Sequence, residues 1–171
     1  MKTRFTIALA ILFGFQIMGC KKEVQEVRAD EVKIDLLNAE FPDAKKEVKL
    51  TMDSIVQSVK DNDIDRLISF HAYGPKFTEF KNGEPRNDGK QNEEFERSIF
   101  GSVTEVIKFD LNDMKINVYG DVANVTLHSD FHLKFGEDLA VVNEQISLLF
   151  LKTNNGWRIV HEHHSPLKME E

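Results

Sequence analysis

The densest run of reactive side chains is His161-Glu162-His163-His164, close to the C-terminal end of the 171-residue chain. Along an extended strand residues i and i+2 project from one face, so His161 and His163 could approach a single ion, with His128 or His132 of a neighbouring strand as third ligand. The spacing is unlike the helical HExxH arrangement and fixes no third ligand. Neither a metal nor another cofactor is therefore expected, and these histidines read as polar residues of a sheet face or as a contact between subunits. Cys20 is the only cysteine. A single thiol excludes an intramolecular disulfide framework and every multi-cysteine zinc site. The 29 acidic residues against 22 basic ones give a formal charge of −7, and losing Lys2 and Arg4 with a cleaved leader would make it more negative. Such a balance argues against nucleic acid as a partner, because phosphate binding depends on Lys and Arg.

The elements that must hold these residues follow from periodicity. Val48, Met52, Ile55, Val56 and Val59 fall on one face of a helix that begins near Ala44 and is broken by Asp61-Asn62-Asp63. Asp63 can cap a second, short helix through Ile64, Leu67, Ile68 and His71, ended by Gly74-Pro75. Residues 74–90 carry the turn dipeptides Asn82-Gly83 and Asp88-Gly89 and read as a folded loop. Phe70 belongs to the core, whereas Tyr73, Phe77 and Phe80 either close that core or line a cavity. A third helix is expected over Gln91–Phe100, with Phe95, Ile99 and Phe100 on its buried face.

After Gly101 the pattern alternates, and Val103–Leu111, Met114–Tyr119, Val122–Phe135, Leu139–Lys152 and Trp157–His164 read as strands. Helices followed by a meander of strands joined by short loops predict an α+β fold with an antiparallel sheet covered on one face. On the long third segment Val125, Leu127, Ser129, Phe131 and Leu133 share the inward face, and on the next Ile146, Leu148 and Phe150 do. The last strand resists this reading. Neither Arg158, Val160, Glu162 and His164 nor Trp157, Ile159, His161 and His163 form a clearly polar set.

The first residues carry a different message. A basic start at Lys2 and Arg4 and an apolar stretch Ile7–Phe15 lead to Ile17-Met18-Gly19-Cys20, the layout of a secretory leader. The apolar stretch is short of the roughly 20 residues that span a bilayer. Ile17-Met18-Gly19-Cys20 resembles the lipobox of bacterial lipoproteins, in which the cysteine is lipidated and becomes the new N-terminus. The expected organisation is a signal peptide at 1–19, lipidated Cys20 with a tether over 20–43, a folded domain at 44–168 and a tail at 169–171. That places the protein in a bacterial cell envelope, held to a membrane by its lipid on the periplasmic or cell-surface side.

Gly120-Asp121-Val122-Ala123-Asn124-Val125 before a long strand, and Asn155-Gly156-Trp157-Arg158-Ile159-Val160-His161-Glu162-His163-His164-Ser165 at the end, resemble the SnoaL-like branch of the nuclear transport factor 2-like superfamily, which includes the ketosteroid isomerases. The last strand is also similar to that of the calcium/calmodulin-dependent kinase association domain. The resemblance implies a cone: N-terminal helices packed on a strongly curved antiparallel sheet around one pocket, with the outer sheet face, here His128, His132, His161 and His163, used to form a homodimer. The pocket it implies is lined by Phe77, Phe80, Leu127, Ser129, Phe131, Ile146, Leu148 and Phe150. Arginines that line the kinase pocket correspond to Ser129, Leu148 and His164, so the site should be mostly apolar, with Glu162 and His164 near its mouth.

Three functions are compatible with that resemblance. The leading expectation is a domain that binds a small apolar or amphipathic ligand, or a partner protein, without turnover. An enzyme is the alternative: an isomerase, dehydratase or hydrolase with Glu162 or Glu144 as general base, His164 as its partner and Tyr73 as hydrogen-bond donor, burial raising the carboxylate's pKa. An oligomerisation module is the third. The anchoring expectation is tested directly by Cys20→Ser: the protein should leave the membrane fraction, and unchanged fractionation would refute lipidation at this position.

Overall fold

The computed structural model describes residues 34–168; the leader, Cys20 and the first part of the tether lie outside them, as do residues 169–171. Helix α1 spans Pro42–Lys60, two residues earlier than expected, because Pro42 occupies its first turn, where a missing N–H costs nothing. Its predicted face is the buried one, with Val48, Met52 and Val59 almost fully enclosed. Helix α2, Ile64–Ser69, is capped by Asp63, whose side chain accepts from the Arg66 N–H at 3.0 Å. No helix among the described residues is long and apolar enough to cross a membrane.

The expected loop of residues 74–90 contains two short strands, β1 (Thr78–Lys81) and β2 (Asn87–Asp88). Asp88 and Gln91 then form a reciprocal capping box that starts helix α3, Gly89–Gly101. Gly89 is required there. A Cβ at this position would lie 2.9 Å from the Gly74 backbone nitrogen and 3.3 Å from Phe77 Cβ. The face of α3 differs from expectation: Asn92, Glu96 and Phe100, four residues apart, turn inward, whereas Phe95 and Ile99 are exposed. Lys81 Nζ sits 4.3 Å above the Phe95 ring, which accounts for an aromatic on the wet side.

Strand β3 (Glu105–Tyr119) is one long strand where two were expected, bent by irregularities at Ile107 and at Asp113-Met114, with Asp113 at a φ of 45°. It pairs with β4 (Val122–Phe135), whose inward residues are those that alternation selects. The next predicted strand is divided into β5 (Asp138–Val142) and β6 (Glu144–Thr153), both running along β4 on the same side. The final strand, β7, spans Gly156–Pro166. The order is β2-β1-β7-β6-β4-β3, with β5 beside β4. Because β1 runs parallel to β7, the sheet is mixed and not wholly antiparallel.

A bulge explains why the last strand resisted assignment. Leu149 pairs with His161 and Phe150 with Ile159, so Val160 is an extra residue without a partner. Trp157 and Ile159 before it, and Glu162 and His164 after it, consequently point to the same interior. Trp157 is tied to the other layer, donating its indole N–H to Glu47 of α1 at 3.0 Å; Lys152 pairs with the same carboxylate. The core groups Val48 and Met52 with Val125, Leu148, Phe150 and Ile159, and a second cluster packs Val59 and Leu67 with Phe109 and Leu133. Gly89→Ala should lower thermal stability by about 1–3 kcal/mol, the range for overpacking. A melt unchanged from wild type would show that the α3 entry is not as tight as described.

Candidate functional site

Strand β7 brings Glu162 and His164 inward two residues apart, and the chain before β1 pairs with it as well. The Ala72 N–H donates to the Ile159 carbonyl at 2.8 Å, and the Ile159 N–H to that of Phe70 at 2.9 Å. This stitch holds His71 directly against Glu162: His71 Nε2 lies 2.6 Å from Glu162 Oε1, while His164 Nε2 lies 3.2 Å from Oε2. One carboxylate, 3% exposed, is thus gripped by two imidazoles. His164 Nδ1 reaches Glu144 Oε2 at 3.1 Å, and Asn82 donates to the other Glu144 oxygen at 3.0 Å. On the far side Glu96 Oε2 accepts from the Tyr73 hydroxyl at 3.0 Å and is 3.7 Å from His71 Nε2. The Tyr73 and His71 rings stack at 4.8 Å, nearly parallel at 4°. Glu79, paired with Glu162 across β1 and β7, is also buried and accepts from Asn87 at 2.8 Å.

The electrostatics separate these acids. Burial alone would raise the Glu162 pKa, but the charge of His71 and the hydrogen bonds from His164 and His71 hold it well below the usual carboxylate range. Glu144, also opposed by burial, is lowered by His164 and Asn82. The expectation of a raised pKa at Glu162 or Glu144 is thereby corrected. Glu96 is the acid that rises, to about 7, because burial and the Glu162 charge outweigh His71 and the Tyr73 hydrogen bond. Burial would lower both histidines, yet His71, through Glu162 and Glu96, and His164, through Glu144 and Glu162, each rise to about 9. Tyr73 is pushed up by burial and by Glu96 and stays a neutral donor.

A cavity of about 90 Å³ opens beside this row. Its walls are apolar: Met52, Ile55 and Val59 from α1, Phe100 from α3, and Phe109, Leu127, Phe131, Ile146 and Leu148 from the sheet. His71, Glu96, Glu162 and His164 form its polar end. Four of the expected lining residues, Leu127, Phe131, Ile146 and Leu148, are therefore at the cavity, and four are not. Phe77 is buried behind it, edge-on to Tyr73 at 4.8 Å. Phe80 is 44% exposed, between His161 and His163 on the outside. Phe150 is enclosed in the main core.

Ser129 is a staple: its hydroxyl donates to the Val142 carbonyl and accepts from the Glu144 N–H, bridging the break between β5 and β6. Glu162 is deep in the wall and not at the mouth, and Tyr73 reaches the site only through Glu96 and His71. The surface histidines do not converge. His161 Nδ1 is engaged by Thr78 at 2.8 Å and His132 Nε2 by Asp130 at 3.0 Å. Glu96 and His71 are the residues that the sequence reading missed. The four-residue spacing of Asn92, Glu96 and Phe100 was the available signal, obscured by the more apolar Phe95 and Ile99.

Residues 48–169 match the model of the SnoaL-like domain. The chain belongs to the SnoaL-like domain family. Solved structures agree in fold. A candidate dehydratase of the NTF2-like family from Streptomyces avermitilis superposes with a TM-score of 0.66 at 21% identity, covering 75% of this chain and all of that one. A candidate aromatic ring hydroxylase from Novosphingobium aromaticivorans gives 0.65 at 14%, covering 77% and 94%. A candidate calcium/calmodulin-dependent kinase II association domain from Exiguobacterium sibiricum gives 0.63 at 11%, covering 77% and 99%. No curated protein matches the sequence. At these identities the likeness is one of fold, and fold does not carry chemistry.

The charge states fix a sign for the pH dependence of stability. Both imidazoles have folded pKa values of about 9, above the 6.5 of the free side chain. The folded protein thus holds more protons than the unfolded chain between those values, and stability falls as pH rises through that window. Glu96, raised from 4.5 to about 7, acts in the same direction at lower pH. The melting temperature in the presence of a chelator should therefore drop between about pH 6.5 and 9, and His164→Gln should flatten the slope. A wild-type melt that rises across this range would contradict the assigned charges.

Proposed function

We propose that this SnoaL-like domain is the ligand-binding part of an envelope lipoprotein, taking up one small, largely apolar molecule whose single polar group meets Glu96 and the His71-Glu162-His164 row. The observation that carries this reading is a small cavity with apolar walls and one charged, internally hydrogen-bonded end. Apolar surface supplies most of the affinity in such a site, and the few polar groups fix orientation. The absence of arginines at the cavity, where His164 and Leu148 stand, makes a hydroxyl, carbonyl or amine a better match than a free carboxylate. The volume suits a compact molecule, on the scale of one ring, better than a steroid. The leader and Cys20 support attachment to a membrane, and a homodimer as the working form is what the family resemblance implies.

A second reading has its own observation. A carboxyl poised at about 7 on the wall of a largely apolar cavity has the pKa that general acid–base catalysis requires, and it belongs to Glu96. Glu162, locked between two imidazoles, is a poor base by comparison. In this reading the domain would move a proton on the bound molecule, as an isomerase or dehydratase does, with Glu96 as base and Tyr73 holding it in place.

Native mass spectrometry of the full chain, purified from its source in mild detergent, separates the readings. A co-purifying small molecule of defined mass, lost on Leu148→Arg, is the expected result. Protein that carries nothing and accepts no member of a panel of single-ring alcohols, ketones and amines would overturn the binding proposal. Glu96→Gln should weaken retention of that molecule by about tenfold, the scale of one charge-assisted hydrogen bond.

A further inference from the structure

We infer that His71, Glu96 and Glu162 form a binding site for a single divalent first-row transition-metal ion at the polar end of the cavity. These three residues each present one donor atom, and the donors lie within 4.8 Å of one another. One imidazole nitrogen with two carboxylate oxygens is a ligand set that suits Zn²⁺, Mn²⁺ or Fe²⁺. Three protein ligands beside a cavity leave the remaining coordination position facing whatever the cavity holds, the arrangement typical of catalytic and not structural metal sites.

What distinguishes this cluster from a chance meeting of charges is that both carboxylates are held by hydrogen bonds from outer partners, while His71, whose buried Nδ1 has no hydrogen-bond partner, is placed by ring stacking. Glu96 Oε2, the oxygen that stands 3.7 Å from His71 Nε2, is fixed by the Tyr73 hydroxyl at 3.0 Å. The His71 ring plane is set by stacking on Tyr73 at 4.8 Å. Glu162 is held from behind by His164, whose other nitrogen is in turn held by Glu144. Outer partners of this kind orient metal ligands and are worth about 10–100-fold in affinity. The side chains of His71 and Glu162 are each 3% exposed, so an ion there would be shielded from bulk water.

One adjustment is needed. His71 Nε2 and Glu162 Oε1, now 2.6 Å apart and sharing a proton, must separate. Ligand atoms about 2.0–2.2 Å from a tetrahedral ion stand roughly 3–3.5 Å from each other. A small rotation of either side chain supplies that opening, and the shared proton leaves to solvent. The site does not depend on the identity of the cavity's ligand, and it would give that cavity the means to polarise a carbonyl or activate a water.

The test uses full-length protein in detergent, stripped with a chelator and titrated with Co²⁺ while the visible absorption is followed, then with Zn²⁺ by calorimetry. One equivalent should saturate, with the ligand-field bands of a nitrogen and oxygen environment and a raised melting temperature. Glu96→Gln, which keeps a hydrogen-bond partner for Tyr73 and so should fold, is expected to weaken binding at least tenfold. Tyr73→Phe should weaken it while leaving the stoichiometry at one. The proposal is overturned if no stoichiometric binding occurs, or if binding is the same in folded Glu96→Gln and is abolished instead by replacing the surface histidines His161 and His163. Metal binding without any cavity ligand would sink the proposed function alone, whereas a cavity ligand bound by metal-free protein that takes up no ion would sink only this inference.

Discussion

Glu162 is the constraint around which the rest of the structure is arranged. A carboxylate almost without solvent must find compensating charge, and an unpaired one costs several kcal/mol. Here two imidazoles meet its two oxygens from separate elements, one on β7 itself and one from the segment stitched to β7 after α2. Everything that fixes those imidazoles is thereby recruited: the Tyr73 stack on His71, Glu144 behind His164, and Asn82 behind Glu144. The row is satisfied at every carboxylate, with the buried His71 Nδ1 left without a partner, and the elements carrying it are bound to one another through it.

The fold supplies the row by two local departures from regularity. The bulge at Val160 lets Trp157 and Ile159 join the core while Glu162 and His164 join the site, on one strand and one face. The break at Asn143, spanned by the Ser129 hydroxyl, restarts the strand so that Glu144 turns toward His164. Without the first, Glu162 and the strand's apolar anchors would lie on opposite faces of the sheet. Irregularities of this kind are common beside functional sites because they re-aim side chains without changing the topology.

The apolar cavity and the charged row act on each other. The walls contributed by α1, α3 and the sheet remove solvent from both acids, which raises Glu96, whereas the two imidazoles keep Glu162 ionised against the same burial. Two glutamates facing the same histidine acquire opposite character because one has two cationic partners and the other has a phenol and a distant imidazole. Relatives with the same cone bear descriptions as varied as dehydratase, hydroxylase and kinase association domain. A fold of this kind does not by itself carry a function.

The sequence by itself determined the α+β class, the buried face of α1, the Asp63 cap and the inward residues of β4 and β6, since each follows from local periodicity or capping chemistry. It also placed Glu162 and His164 together, because two residues apart on one strand is a local fact. Tertiary structure alone decided the partners. His71 meets Glu162 across 91 residues, Glu96 meets His71 across 25 and Glu144 meets His164 across 20, and no spacing rule encodes contacts of that kind. Even the facing of α3 was settled nonlocally: its most apolar side is not its buried side, because the space left by the sheet and α1 accepts Glu96 and Phe100, and Phe95 finds a lysine at the surface instead.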